Sequence, residues 1–121
     1  MKKILIVDDE TNIVMTLEYT FKKNNYEVFI ARDGQEALDI VENVAPDLII
    51  LDVMMPMVDG YATIEQIKQN TNLNHTKIIF LSAKNKETDI EKGMKLGANA
   101  YLTKPFSIKK VVEKVTELLH Q

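Results

Sequence analysis

The sequence predicts an α/β fold in which a parallel β-sheet is sandwiched between helices. Two observations predict it. Short apolar runs occur five times along the chain, and helical apolar patterns separate them in strict alternation. The runs are also mostly apolar on consecutive residues, where a strand with one wet face would alternate. Elements alternating in this way are joined by right-handed crossovers, which put helices on both faces of the sheet.

The strands are read from ILIV at 4–7, VFIA at 28–31, LIIL at 48–51, IIFL at 78–81 and AYL at 100–102. The first four runs are unbroken, which predicts burial on both faces. Ile13, Leu17 and Phe21 share one face of the first helix. Asp33 followed by Glu36 reads as a capping box opening the second helix, which contains Ala37, Leu38 and Val41 and ends before Pro46. Tyr61, Ile64 and Ile67 mark the third. Ile90 and Met94 mark a short fourth, with Gly97 at the position after its C-cap. Ser107 caps the fifth, whose apolar face is Ile108, Val111, Val115 and Leu118 or Leu119.

The 121 residues read as one domain, 1–121, either a whole protein or part of a longer one. Eighteen acidic and 15 basic residues give a formal charge of −3, which exerts no overall pull toward nucleic acid. The absence of cysteine excludes disulfides and thiolate metal sites. Lys2 and Lys3 precede an apolar run, but a secretion signal needs about 7–15 apolar residues and a membrane span about 20. The expected location is therefore the cytoplasm, with no membrane contact.

In open α/β sheets ligands bind beyond the carboxyl ends of the strands. Asp8, Asp9 and Glu10 follow the first run, Asp52 the third, Ser82 the fourth, and Lys104 with Pro105 the fifth. The second ends in Ala31 and Arg32 and offers no evident part. Asp8, Asp9 and Asp52 are thus expected to share one acidic pocket. Two like charges 4 Å apart repel by about 4 kcal/mol at an effective dielectric constant of about 20, so a cation or a proton must offset them. Oxygen donors at a wet edge suit Mg²⁺. The plainer account is that Asp8 to Glu10 only place acid at a helix N-terminus. Asp52 argues against it, since it directly follows LIIL and so lies near buried surface. Ser82 alone reads as a turn residue, and Lys104 alone as a surface cation. The bond before Pro105 can be cis, which would fix the direction of the lysine.

Taken together, these residues resemble the receiver domain of two-component response regulators. The motifs are Asp8-Asp9-Glu10, Asp47 through Asp52 to Met54 and Pro56, Asp59-Gly60, Leu81-Ser82-Ala83, Gly97-Ala98, and Tyr101 through Lys104-Pro105 to Phe106. They cover essentially the whole chain in order. The resemblance implies a flavodoxin-like (βα)5 sheet of strand order 2-1-3-4-5. It implies that Asp52 is the phosphoacceptor, taking a phosphoryl group from a sensor histidine kinase or phosphotransfer protein. It further implies Mg²⁺ held by Asp8, Asp9, Asp52 and the Met54 carbonyl, with Asp8 acting through water. Ser82 and Lys104 would hold phosphoryl oxygens, and Ser82 and Tyr101 would switch a surface around the fourth helix, fifth strand and fifth helix. Met54 and Lys84 border the site, and apolar Met54 suggests slow self-dephosphorylation. The domain would be a signalling element and not an enzyme, and a monomer or a weak phosphorylation-dependent dimer.

A haloacid-dehalogenase-type phosphatase needs a second acid two residues after its nucleophile, and the segment from Asp8 to Asn12 fits that poorly. An FMN-binding flavodoxin would meet a repulsive acidic loop. An unphosphorylated interaction module usually lacks one of the acids or the lysine, and here all are present. The output stays open. A downstream protein target would be reached by a stand-alone phosphorelay or chemotaxis-type regulator, or by the receiver of a DNA-binding transcription regulator, with no direct nucleic-acid contact by this chain. Ala100 departs from the acidic residue common in the latter class. His75 and His120 lack metal-ligand spacing to the acids.

Overall fold

The computed structural model describes residues 1–120. The strands are β1 (Lys3–Val7), β2 (Glu27–Ala31), β3 (Leu48–Leu51), β4 (Lys77–Ser82) and β5 (Ala100–Thr103). The helices are α1 (Thr11–Lys23), α2 (Gly34–Asn43), α3 (Gly60–Gln69), α4 (Glu87–Lys95) and α5 (Ile108–Leu119). All strand pairs are parallel, in the order β2-β1-β3-β4-β5. The doubly wound fold and its strand order are as expected. Among the described residues no helix is long and apolar enough to cross a membrane.

The consecutive apolar runs follow from two cores, one on each face of the sheet. Leu5, Val7, Ile49, Leu51, Ile78 and Phe80 face the side covered by α2 and α3. Their neighbours Ile4, Ile6, Leu48, Ile50, Ile79 and Leu81 face α1 and α5. Each central strand therefore buries both of its faces and leaves no wet side to alternate. The run at 28–31 departs from this expectation. As an edge strand with one neighbour, β2 is exposed at Glu27, half-buried from Val28 to Ile30, and buried only at Ala31.

Local signals set the helix ends. The Asp33 side chain accepts from the Glu36 amide at 2.8 Å, and Asp59 accepts from Ala62 at 2.9 Å. Ser107 accepts from Lys110 at 3.4 Å. Gly97 follows the C-cap of α4 with φ +110°, a left-handed conformation that glycine adopts without a Cβ clash.

Two helix faces differ from the pattern read in the sequence. In α1 the buried residues are Val14, Leu17 and Phe21, with Ile13 only partly covered. In α4 Met94 is exposed and Ile90 half-buried, while Gly93 is buried. A Cβ on Gly93 would meet the rings of Tyr101 and Phe80 at 2.9 and 3.0 Å. The helix docks by letting those rings touch its backbone, so its contact side carries no large side chain for a periodicity to reveal.

Candidate functional site

The register Val7↔Leu51 puts the residues after β1 and β3 side by side. The Asp52 amide donates to the Val7 carbonyl at 3.0 Å, carrying the β1–β3 ladder one residue past the strands. Both Asp8 and Asp52 are 3% exposed. Each has one oxygen tied to its own loop. Asp8 Oδ1 accepts from the Glu10 amide at 2.9 Å, and Asp52 Oδ1 accepts from the Met54 amide at 3.2 Å.

The second oxygen of each points to Lys104. The Lys104 amide donates to the Ser82 carbonyl at 2.9 Å, which anchors it at the end of β4, and the Lys104–Pro105 bond is cis. Lys104 Nζ lies 2.9 Å from Asp8 Oδ2, 2.9 Å from Glu10 Oε1 and 3.3 Å from Asp52 Oδ2. An ammonium has three donors, so these acceptors use them all.

The electrostatics follow from burial and this sharing. Burial pushes the Asp8 carboxyl up, and the Asp52 charge adds to that, while the Glu10 amide and Lys104 oppose it. Burial alone would lower Lys104, but its bonds to Glu10 and Asp8, with the charge of Asp52, outweigh it and hold the ammonium above its usual range.

The remaining predicted residues ring this centre. The buried Ser82 Oγ accepts from the Lys84 amide at 3.2 Å. The Tyr101 hydroxyl donates to the Lys84 carbonyl at 2.8 Å, while its ring lies 5.6 Å from that of Phe80. Tyr61 donates to the Asp89 carbonyl at 3.0 Å, tying α3 to α4 beside the same ring stack. Exposed Asp9 lines a shallow hollow of about 410 Å³ with Met54, Met55, Asp59 and Lys84.

The expected acid cluster is therefore drawn differently. Carboxylate oxygens of Asp8, Glu10 and Asp52 lie within 4.8 Å of one another, and Asp9 is not part of that group. Glu10 was read only as acid near a helix start. The signal that could have found it is its spacing, two residues beyond Asp8. These oxygen donors face a single lysine, and the two buried acids lie side by side. Such a set can hold a metal ion, which would offset the repulsion that the lysine leaves.

Gly60 makes the close approach on which the loop after Asp52 depends. A Cβ there would meet the Asp52 carbonyl oxygen and the Val53 Cα, both backbone atoms. Gly60→Ala is expected to cost about 1–3 kcal/mol, as overpacking against rigid atoms does. Urea unfolding measures it, and a loss below about 0.5 kcal/mol would show that α3 shifts freely.

Residues 4–116 match the family described as the response regulator receiver domain. The alkaline phosphatase synthesis transcriptional regulatory protein PhoP of Bacillus subtilis (strain 168) is 44% identical over 120 residues, covering 99% of this chain and 49% of PhoP. The chain thus spans about half the length of that relative. The receiver domain of Francisella response regulator 1452 superposes with a TM-score of 0.91 at 33% identity, covering 99% of this chain and 98% of that one. The Vibrio cholerae chemotaxis protein CheY4 superposes with a TM-score of 0.92 at 30% identity, covering 98% and 99% respectively.

Proposed function

The chain belongs to the response regulator receiver family, and from that premise we propose that Asp52 takes a phosphoryl group from the phosphohistidine of a sensor histidine kinase or phosphotransfer protein. The observation that carries this reading is Asp52 itself. Its buried Oδ2 sits at the end of β3, 3.3 Å from Lys104 Nζ and beside Asp8.

The ionised carboxylate is a nucleophile. An Asp52 oxygen forms the new bond to phosphorus as the phosphorus–nitrogen bond of the phosphohistidine breaks, and the electron pair leaves with the imidazole. Lys104 and Ser82 hold phosphoryl oxygens. Asp8, Asp9, Asp52 and the Met54 carbonyl would hold Mg²⁺, with Asp8 acting through water. When bound, the ion supplies positive charge beside those oxygens. Ser82 moves toward the phosphate and takes the Lys84 loop with it. Tyr101, bonded to the Lys84 carbonyl, follows and biases the α4-β5-α5 surface toward a downstream target.

Residues 1–121 act as one receiver domain, cytoplasmic, monomeric or weakly dimeric on phosphorylation. The domain is a phosphoacceptor, and apolar Met54 gives attacking water no base, so self-dephosphorylation is slow. The output favoured by the 44% identity to PhoP is a transcription regulator's. The likeness to CheY4 supports a second reading, output by protein contact alone. The reading frame beyond Gln121 decides between them.

Intact-mass spectrometry after incubation with acetyl phosphate and Mg²⁺ tests the phosphoacceptor. One phosphoryl group is expected, located on Asp52 by fragmentation and absent when EDTA is added. An unmodified chain, or a group on another residue, sinks the reading.

A further inference from the structure

We propose that Glu10 is a latch on Lys104 that the incoming phosphoryl group must displace. The proposal rests on the phosphoacceptor reading of Asp52 and adds a positioning residue to it. Glu10 stands at the N-cap of α1, where a Ser, Thr, Asp or Asn side chain ordinarily bonds the first backbone amides of the helix. Among the described residues it makes no such side-chain bond. Its carboxylate turns instead to Lys104 Nζ at 2.9 Å, closer than Asp52 at 3.3 Å.

The three acceptors of Lys104 are not equivalent. The side chains of Asp8 and Asp52 are 4% and 3% exposed, whereas that of Glu10 is 57% exposed. Glu10 alone can leave for water at small cost. It also stands where the new group must go. One of its oxygens lies within 4.8 Å of both an Asp8 and an Asp52 oxygen, on the solvent side of the cluster. A phosphoryl group on Asp52 brings three oxygens and extra negative charge into that space. Like charges so close repel, and both groups compete for one ammonium whose donors are all in use. Release of Glu10 is therefore part of phosphoryl acceptance, and the pair it breaks slows that step.

The test compares the wild-type chain with Glu10→Gln and Glu10→Asp. The first removes the charge. The second keeps the charge but draws it back by one methylene, out of reach of Lys104. Time courses of intact mass with acetyl phosphate and Mg²⁺ are expected to show both variants accepting the phosphoryl group about two- to fivefold faster, the range for releasing one partly exposed ion pair. A second readout needs neither donor nor metal. The NMR signal of the Lys104 ammonium protons, held by three carboxylates, is expected in the wild type and lost to exchange in both variants. Unchanged rates overturn the latch. So does Glu10→Asp at the wild-type rate beside a faster Glu10→Gln, which would mark a general field effect. Retention of the ammonium signal in both variants overturns it whatever the donor does. A wild-type chain that takes no phosphoryl group refutes the phosphoacceptor reading instead, and the ammonium signal still reports whether Glu10 holds the lysine.

Discussion

Lys104→Ala is expected to slow phosphoryl acceptance by about a hundredfold and to destabilise the metal-free fold by about 2–3 kcal/mol at neutral pH. The rate falls because Lys104 supplies a fixed charge where negative charge gathers on the phosphoryl oxygens. Stability falls because Asp8 and Asp52, both 3% exposed, lose the cation they share. The loss stays below the upper range for a broken buried pair because Asp8 can take up a proton and Glu10 can turn to water. The pH dependence has a defined sign on each side. The folded state holds the Lys104 proton more tightly than the unfolded chain does. The advantage of the wild type is therefore full below the ordinary value of 10.5 and is lost as pH rises through the raised one. Asp8 is also raised, above its ordinary 3.8. Its folded state gains stability as pH falls through the raised value and loses it as pH rises. Without the lysine that value rises further, so the variant's deficit shrinks on acidification. Urea titrations at a series of pH values with EDTA measure this, and a deficit that grows toward acid would contradict the assignment.

Asp52→Asn is expected to move the two properties in opposite directions. Phosphoryl acceptance is abolished, because the amide is no nucleophile. Stability without metal increases by about 1 kcal/mol, because one of three clustered negative charges is gone while shape is kept. The amide oxygen still accepts from the Met54 amide, and Lys104 keeps Asp8 and Glu10. Saturating Mg²⁺ is expected to stabilise the wild type more than the variant and so to narrow or reverse the gap. Thermal melts with and without Mg²⁺ check this. A variant less stable than the wild type in EDTA would mean that repulsion within the cluster is small.

The central strands were legible because each buries both faces, which writes the burial directly into ILIV, LIIL and IIFL. The site was legible in outline because Asp8, Asp52, Ser82 and Lys104 all stand at strand ends on one edge. The misreadings have physical causes. The run at 28–31 looks like a core strand by its apolar residues alone, and only the strand order implied by the family resemblance places it at the sheet edge, because pairing is not encoded in composition. Met94 and Gly93 exchange roles in α4 because ring-to-backbone packing needs the absence of a side chain. Glu10 joins Asp8 and Asp52 around the lysine while Asp9 lines the adjoining hollow with Met54, because strand and loop geometry decide which acid turns toward the lysine. Two adjacent acids in a sequence carry no mark of which way each will point.

The loop residue Lys84 has one further consequence, concerning how the domain can diversify. Both bonds that join Ser82 to Tyr101 run through its main chain, one at the amide and one at the carbonyl. Its side chain does something else, reaching Asp89 at 3.8 Å and lining the hollow beside Met54. A substitution at position 84 other than proline leaves the amide and carbonyl that link the two side chains, and alters only the charge and shape at the mouth of the pocket. The hydrogen-bonded link between Ser82 and Tyr101 and the chemistry at the mouth of the hollow are thus separable at a single residue, so a substitution there can change one and leave the other in place.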